Sequence, residues 1–280
     1  MLSPQPFRLA GVIGWPIVQS RSPVLHGHWL KQYGIHGAYL PLPVQPERLA
    51  DAIRGLRALG FSGCNVTIPH KPGVAGLMDR VDPVAARIGA VNTIVVQDDG
   101  TLSGFNTDAY GFLASLHDVR GDWRADAGPV VVLGAGGAAR AIAVALLDDG
   151  AKEIRLCNRT RERADTLADI DRKRVAVHDW AEREAALDGA ALLVNTTSQG
   201  MTGYPPLNIR LDALPAGAAV CDIVYNPLET PLLAAARARG LTAIDGLGML
   251  LHQAVPAFEA FYGTRPHVSN ELRRAVEETL

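Results

Sequence analysis

The stretch from residue 129 to residue 160 places a strand, a glycine turn, a helix and a second strand one after another. It reads PVVVLGAGGAARAIAVALLDDGAKEIRLCNRT. A β-branched run, a turn of small residues and an Ala- and Leu-rich segment within about thirty residues are typical of one βαβ unit. Because such units build parallel sheets with helices on their faces, this stretch restricts the chain to an α/β fold.

The glycine turn of this unit has the pattern G-x-G-x-x-A, formed by Gly134, Gly136 and Ala139. Gly134 permits the tight turn, Gly136 lets the backbone approach a pyrophosphate, and Ala139 lets helix and strand pack closely. The pyrophosphate would lie at the N-terminus of a helix over residues 137–149, where free N–H groups and the helix dipole favour anions. Since the motif stands directly between a strand and a helix, it favours dinucleotide binding over packing alone.

The end of the second strand indicates which dinucleotide is bound. NAD-selective folds usually carry an Asp or Glu there, which bonds the ribose 2′-hydroxyl. This chain has Asn158, Arg159 and Thr160 instead, followed by Arg161 and Arg163. No acid stands there to repel a 2′-phosphate, and Arg159 could pair with that phosphate through two N–H bonds. The sequence therefore predicts NADP rather than NAD as the cofactor.

Composition limits the class of protein around this unit. The 280 residues are 48% hydrophobic and 20% charged with a formal charge of −2, which suits two globular domains or one large one. No basic stripe indicates nucleic acid, and no apolar run approaches the ~20 residues that span a bilayer. The N-terminus lacks a signal-peptide pattern, and Cys64, Cys157 and Cys221 are expected to be buried free thiols, so we expect a cytoplasmic protein.

The N-terminal part alternates strands and helices in a less regular way. Strands are expected at RLAGVIG, GAYLPLPV and GCNVTIP, and helices over residues 22–33 and 47–59. The segment AVNTIVVQDDGTLSGFN should form a hairpin with DDG at its turn, which would make this sheet mixed. After the central unit, strands are expected at ALLVNTT, AVCDIVY and TAID, and residues from Gly246 onward show only helix signal.

We therefore expect a two-domain α/β protein. Residues 1–109 and 247–280 would form a mixed-sheet substrate domain, and residues 110–246 would form a Rossmann-type, doubly wound dinucleotide domain. The C-terminal helices would pack back on the first domain. On the first of these helices Met249 and Gln253, four residues apart, share a face, and Pro256 is expected to bend or interrupt the helix.

Several polar residues of the first domain stand where a ligand could bind. On the strand GCNVTIP, Asn65 and Thr67 share a face, and Lys71 lies just past the proline that should end the strand. Ligands bind at such carboxyl edges in open α/β sheets. Ser20 and Ser22 place two hydroxyls at a strand-to-helix turn and could cradle a carboxylate.

A purely structural interpretation is open for four polar residues of the first domain. Taken alone, Ser22 and Asp108 would be helix N-caps. Asn92 could be only a polar group of the hairpin, and Lys71 only a solvated lysine. A metal site is not expected, because the two histidines of the first helix have no further ligands at the required spacing.

Together and in order, the motifs of this chain resemble the shikimate dehydrogenase family. They are GWPIVQSRSPVLH, GCNVTIPHK, GAVNT, GFNTD, GAGGAAR, NRT, NTTSQGM, DIVYNPLETPLL and DGLGMLLHQA. They cover nearly the whole chain, and the first four are specific to that family rather than to dinucleotide-binding proteins in general. The resemblance implies an oxidoreductase of aromatic amino acid biosynthesis that interconverts 3-dehydroshikimate and shikimate with NADP.

The resemblance also implies roles for individual residues. Lys71 and Asp108 would lie beside the reacting hydroxyl, and Ser20 and Ser22 would hold the substrate carboxylate. Further substrate contacts are implied at Asn65, Thr67, Asn92, Asp108, Tyr225 and Gln253. Cofactor contacts are implied at Gly134, Ala135, Gly136, Gly137, Ala138, Asn158, Arg159, Thr160, Arg163, Ile223 and Gly246. The chain departs from the family pattern at Gly27, where Asn usually follows the histidine of the first motif, and at Ile223, where some relatives have Met.

This assignment meets the needs of the reaction. Oxidation of a ring alcohol needs a hydride acceptor, which nicotinamide supplies, and a proton acceptor, which the protein must supply. Lys71 and Asp108 are expected to act as one coupled unit, with the proton assigned to neither in advance.

Three other interpretations stay open. One is an NAD-preferring quinate/shikimate dehydrogenase, against which the run from Asn158 to Thr160 argues. Another is a non-catalytic sensor of NADP or of a ring acid, against which the Lys71–Asp108 pair argues. A Rossmann-type dehydrogenase for an unrelated substrate is disfavoured by the serine pair and by NVTIPHK. The expected partner is a small molecule, with no nucleic acid and no membrane, and the chain could be a monomer or a homodimer.

Overall fold

A computed structural model describes residues 7–280 of the chain. Within this range the chain divides into two compact units. The first unit consists of the residues up to Thr107 together with Gln253–Leu280, and the second unit consists of Asp108–His252. Each unit is built around one six-stranded sheet.

The sheet of the first unit is mixed, as the hairpin signal predicts. Its strands are β1 (Arg8–Gly14), β2 (Gly37–Pro43), β3 (Phe61–Val66), β4 (Arg80–Val81), β5 (Thr93–Val96) and β6 (Leu102–Phe105), in the order β2-β1-β3-β5-β6-β4. β1 pairs in parallel with β2 and β3, whereas β5 runs antiparallel to both β3 and β6. The helices joining these strands are α1 (Ser22–Gln32), α2 (Leu49–Ala58), α3 (Lys71–Val74) and α4 (Pro83–Ile88), and a 3-10 turn at Pro46–Arg48 precedes α2.

The sheet of the second unit is wholly parallel. Its strands are β7 (Val130–Leu133), β8 (Ile154–Asn158), β9 (Val175–Asp179), β10 (Leu192–Asn195), β11 (Ala219–Asp222) and β12 (Thr242–Ile244). Their order is β12-β11-β10-β7-β8-β9, which is the doubly wound order of a Rossmann fold, with its switch point between β7 and β10. The predicted fold class is confirmed.

Burial in the second unit follows from this topology. Every side chain of β7 is fully buried, as expected of a central parallel strand covered on both faces. The remaining helices of the chain are α5 (Asp108–Val119), α6 (Gly137–Asp148), α7 (Arg161–Ala168), α8 (Pro231–Ala238), α9 (Gly246–Tyr262) and α10 (Asn270–Glu277). The part of α9 from Gln253 onward and all of α10 belong to the first unit. Ala139 on α6 is fully buried, which allows this helix to approach its sheet closely.

The C-terminal segment belongs to the first unit, as predicted. The indole of Trp29 on α1 donates to the carbonyl of His267 at 3.1 Å. The ring of Trp29 also meets Phe258 of α9 edge to face, with ring centroids 5.3 Å apart. These contacts bury the aromatic face of the second half of α9 against α1.

One predicted strand end was wrong, and one predicted helix interruption does not occur. β3 ends at Val66 rather than at Pro69, because the backbone turns at Thr67, whose carbonyl accepts a hydrogen bond from the His70 amide at 3.0 Å. α9 runs without a break through Pro256. Packing outweighs the roughly 3 kcal/mol that an internal proline costs, since Leu251 before the proline and Phe258 after it are both fully buried. Among residues 7–280, no helix combines the length and the apolar character needed to cross a membrane.

Candidate active site

The glycine turn after β7 is fixed by the loop that follows β10. Gly134 has a φ of +106°, and a Cβ at this position would lie 2.5 Å from Oγ1 of Thr196. Thr196 is itself anchored, because its hydroxyl donates to the carbonyl of Leu133 at 2.6 Å. Only glycine fits both the backbone conformation and the space at this position. Because the turn follows β7 and contacts the loop after β10, it lies at the switch point of the sheet.

The start of α6 presents an open backbone surface. Gly136 occupies the N-cap position without a side-chain capping bond, and Gly136 and Gly137 are both exposed. A Cβ built at either residue would meet no atom within 4 Å. The first N–H groups of this twelve-residue helix therefore lie beside empty space, which is the geometry that a pyrophosphate requires.

The arginines that follow β8 differ in whether they form ion pairs within the protein. Arg159 and Arg163 are exposed and make no ion pair or side-chain hydrogen bond with any described residue. Arg161 is instead paired with Asp179, its Nη1 lying 2.7 Å from the carboxylate. The loop itself is held by Asn158, whose amide donates to the carbonyl of Thr160 at 2.7 Å. Two guanidinium groups are thus left for a phosphate dianion at the predicted position.

Ile223 and Gly246, predicted as cofactor contacts, lie directly against each other. A Cβ at Gly246 would lie 2.1 Å from the carbonyl oxygen of Ile223. The amide of Gly246 donates to the carbonyl of Val224 at 3.2 Å. The start of α9 is therefore pressed onto the backbone that leaves β11, at the carboxyl edge of the sheet.

A buried polar pair that was not predicted from the sequence lies at the same edge. Asn195 ends β10 and Asp222 ends β11, both are fully buried, and the Asn195 amide donates to Oδ1 of Asp222 at 2.9 Å. The hydroxyl of Thr230 donates to Oδ2 of Asp222 at 2.7 Å, and the Thr197 amide donates to Oδ1 of Asn195 at 3.0 Å. Burial raises the pKa of the Asp222 carboxyl. These bonds hold the loops that follow β10 and β11, and the signal that could have found them is a polar residue ending an otherwise apolar strand.

In the first unit, four predicted or neighbouring polar residues form one buried network. Asn65 on β3 donates through Nδ2 to Oγ1 of Thr93 at 3.0 Å and to the carbonyl of Asn92 at 3.2 Å. The Thr93 hydroxyl donates to Oδ1 of Asn92 at 2.9 Å, and Nδ2 of Asn92 donates to Oγ1 of Thr107 at 3.0 Å. Asn92 is thus more than a polar group of the hairpin, because it links the end of β3 to the residue before α5. The network reaches Gln253 on α9, whose Oε1 accepts from Thr107 at 3.3 Å.

The serine pair lies at the start of α1. The Ser22 amide donates to Oγ of Ser20 at 3.4 Å. The N-cap interpretation of Ser22 was wrong, because the helix begins at Ser22 itself and Arg21 holds the cap position without a side-chain bond. The Ser22 side chain instead hydrogen-bonds the phenol of Tyr39, which partly opposes the rise in the pKa of Tyr39 caused by burial.

Lys71 and Asp108 each begin a helix, but in different units. Lys71 is the half-buried first residue of α3, and its carbonyl accepts from the Val91 amide at 3.2 Å. Asp108 is the buried first residue of α5. The N-cap interpretation of Asp108 was wrong by one position, and a carboxylate in the first turn is favoured by the helix dipole. The pairing of the two side chains stays a prediction.

The remaining predicted residues lie in loops or on α9. Thr67, half-buried, follows the end of β3 and its amide donates to the carbonyl of Ile13 at 2.9 Å. Tyr225, also half-buried, lies in the loop between β11 and α8. Among residues 7–280 no group of three or more His, Cys, Asp or Glu side chains is placed to hold a metal ion. The three cysteines are free and buried.

Fold and site together define a Rossmann-type dehydrogenase with a separate mixed-sheet unit that carries a polar, hydroxyl- and amide-rich network. Two family models match the chain, one described as the shikimate dehydrogenase substrate binding domain, over residues 12–94, and one as shikimate / quinate 5-dehydrogenase, over residues 121–202. A shikimate dehydrogenase (NADP(+)) of Paramagnetospirillum magneticum is 60% identical over 269 residues, which cover 96% of this chain and 98% of that protein. The chain belongs to the shikimate dehydrogenase family.

Two solved structures illustrate the similarity. A shikimate 5-dehydrogenase from Thermus thermophilus in complex with NADP(H) and shikimate has a TM-score of 0.87 at 36% identity, covering 98% of this chain and 100% of that one. A quinate dehydrogenase from Corynebacterium glutamicum in complex with NAD has a TM-score of 0.89 at 33% identity, covering 96% and 99%.

Proposed function

We propose that this chain is an NADP-dependent shikimate dehydrogenase. It catalyses the reversible reduction of 3-dehydroshikimate to shikimate with NADPH, a step of aromatic amino acid biosynthesis. The observation that supports this most directly is the continuous network from Asn65 through Thr93 and Asn92 to Gln253. A ring with several hydroxyl groups needs such a set of amides and hydroxyls for recognition, because unpaired polar groups in a closed site are costly.

NADP is held by the carboxyl edge of the second unit. The loop from Gly134 to Ala138 and the N-terminus of α6 take the pyrophosphate, and the end of β8 takes the 2′-phosphate. Bound NADP supplies the hydride acceptor of the oxidation. The proposed cofactor contacts are Gly134, Ala135, Gly136, Gly137, Ala138, Asn158, Arg159, Thr160, Arg163, Ile223 and Gly246.

The substrate is held by a pair of serines and by a set of amide, hydroxyl and carboxylate side chains. Ser20 and Ser22 donate hydroxyl hydrogens to the ring carboxylate, and Ser22 turns its hydroxyl away from Tyr39 to do so. Asn65, Thr67, Asn92, Asp108, Tyr225 and Gln253 contact the ring hydroxyls. A carboxylate needs several donors once water is excluded, and two serine hydroxyls beside the start of α1 meet part of that need.

Lys71 and Asp108 handle the proton of the reacting hydroxyl. In the reducing direction the Lys71 ammonium polarises the ketone oxygen and donates a proton to it. In the oxidising direction the pair accepts the hydroxyl proton as the hydride leaves carbon. General acid–base catalysis of this kind contributes about 100- to 10,000-fold to the rate.

The proposal includes the domain division, the cellular compartment and the oligomeric state. Residues 1–109 and 247–280 form the substrate domain, and residues 110–246 form the NADP domain. The enzyme works in the cytoplasm, where its three free thiols stay reduced, as a monomer or a homodimer.

The proposal is tested with a matrix of two substrates and two cofactors. Purified protein is mixed with shikimate or quinate and with NADP or NAD, and the absorbance of reduced nicotinamide is followed. The fastest rise is expected with shikimate and NADP. A faster rise with quinate and NAD would instead favour the quinate dehydrogenase, and binding of NADP without turnover in any mixture would favour a sensor.

A further inference from the structure

Tyr39 on β2 reaches the substrate network from outside the predicted site. Its hydroxyl lies 2.7 Å from Oδ1 of Asn65, and both residues are buried. Its ring is stacked on the imidazole of His26, with centroids 3.9 Å apart and planes 9° apart. The phenol is therefore held at its ring by stacking and at its tip by a hydrogen bond.

The direction of the Tyr39–Asn65 hydrogen bond follows from the other partners of Asn65. The side-chain nitrogen of Asn65 lies 3.2 Å from the carbonyl oxygen of Asn92 and 3.0 Å from Oγ1 of Thr93. A backbone carbonyl can only accept, so the nitrogen of the Asn65 amide must face Asn92, and the oxygen must face Tyr39. A carboxamide oxygen also only accepts, and the phenol is therefore the donor.

This orientation limits what Asn65 can offer to a ligand. Both hydrogens of its amide are used, one on Asn92 and one on Thr93. Its oxygen has two lone pairs, of which Tyr39 occupies one. Asn65 can therefore form one more hydrogen bond, and only as an acceptor.

We propose that Tyr39 is a positioning residue for the substrate site, which holds Asn65 as an acceptor for a ring hydroxyl. This inference rests on the proposed function, because that proposal makes Asn65 a substrate contact. It adds a selectivity rule: the ring position that faces Asn65 must carry a donor. A hydroxyl is accepted there, whereas a ketone or an ether oxygen is rejected because two acceptors would face each other.

Removal of the phenol hydroxyl weakens this constraint. In Tyr39→Phe the amide oxygen of Asn65 loses its donor, and the amide is held only through the bonds of its nitrogen to Asn92 and Thr93. The matched control is Tyr262→Phe. Tyr262 is a buried tyrosine whose ring lies against Phe258, with centroids 4.6 Å apart, and its hydroxyl donates to the carbonyl of Ala38 at 2.9 Å. Both variants lose one buried hydroxyl, but only Tyr39→Phe loses a bond to Asn65. Tyr39→Phe also loses the bond with Ser22, so the double variant with Asn65→Ala shows through which residue the loss acts.

The test compares the wild type, Tyr39→Phe, Tyr262→Phe, Asn65→Ala and the double variant of Tyr39 and Asn65. For each, KM is measured for shikimate and for NADP, and shikimate binding is measured by calorimetry. We expect Tyr39→Phe to raise the KM for shikimate and weaken shikimate binding by about 5-fold or more, with the KM for NADP unchanged. Tyr262→Phe should change neither, and the double variant should match Asn65→Ala.

Three results would overturn the inference. One is an unchanged KM for shikimate in Tyr39→Phe, and another is an equal rise in both KM values, which indicates a change that is not confined to the substrate site. The third is a double variant whose effects multiply, because Tyr39 would then act independently of Asn65. Failure of the wild type to oxidise shikimate is a different outcome, since it would contradict the proposed function itself.

Discussion

Gly246 and Ile223 are in backbone contact so close that no side chain fits between them. A Cβ at Gly246 would lie 2.1 Å from the carbonyl oxygen of Ile223 and 2.3 Å from its carbonyl carbon. The contact joins the start of α9 to the strand end that carries part of the proposed NADP site. Any residue other than glycine must push these two segments apart.

Gly246→Ala is therefore expected to weaken both stability and cofactor binding. Forced overpacking costs about 1–3 kcal/mol, and we expect a loss of this size in the free energy of unfolding together with a higher KM for NADP. Gly217→Ala is the control, because a Cβ at Gly217 in the same unit meets no atom within 4 Å. Urea unfolding and NADP kinetics of the two variants check the prediction. Equal behaviour of the two variants would show that the contact is unimportant.

Arg159→Gln is expected to reduce selectivity for NADP. Hydrogen bonds to a charged group contribute about 1.5–3 kcal/mol, so the KM for NADP should rise about 10- to 100-fold while the KM for NAD changes little. Arg161→Gln is the matched control, because Arg161 in the same segment is already paired with Asp179. Initial rates with each cofactor measure the ratio. A larger effect from Arg161 than from Arg159 would contradict the assigned 2′-phosphate site.

His26 makes the stability of the fold depend on pH. It is fully buried, and burial lowers its pKa from 6.5 to about 3. The unfolded chain binds a proton below pH 6.5, but the folded chain does so only near pH 3, so stability falls as the pH drops through this window. At pH 5 the contribution to this loss is about 2 kcal/mol relative to pH 7.

His26→Phe keeps a flat ring against Tyr39 and removes this titration. We expect the free energy of unfolding of the variant to change less between pH 7 and pH 5 than that of the wild type, by about 2 kcal/mol. Urea titrations at pH 5, 6 and 7 measure it, with His28→Phe on the same helix as the control. Parallel pH profiles for the wild type and His26→Phe would exclude His26 as the cause.

Much of the fold could be predicted because its signals are local. The glycine turn, the Ala-rich helix and the apolar strands specify a parallel unit, and DDG specifies a hairpin. Boundaries set by longer-range contacts could not be predicted. The turn at Thr67 ends β3 before the proline, and the packing of Phe258 keeps α9 helical through Pro256.

The site shows the same division between local and long-range information. The glycine turn and the arginines after β8 follow from short motifs. Asn195 and Asp222 each stand out as a polar residue that ends an apolar strand, but their contact could not be predicted, because it exists only where β10 and β11 pair with these two residues opposite each other. Tyr39 was missed for a similar reason, since its bond to Asn65 joins residues 26 positions apart.

The most direct test of the account is shikimate oxidation by the wild type and by Lys71→Ala, with Lys31→Ala, an exposed lysine of the same unit, as the control. Reduction of NADP is followed by absorbance, and NADP binding is measured by calorimetry. The account predicts rapid reduction by the wild type and the control, at least about 100-fold slower reduction by Lys71→Ala, and equal NADP binding by all three. Undiminished turnover by Lys71→Ala, or no shikimate-dependent reduction by the wild type, would contradict it.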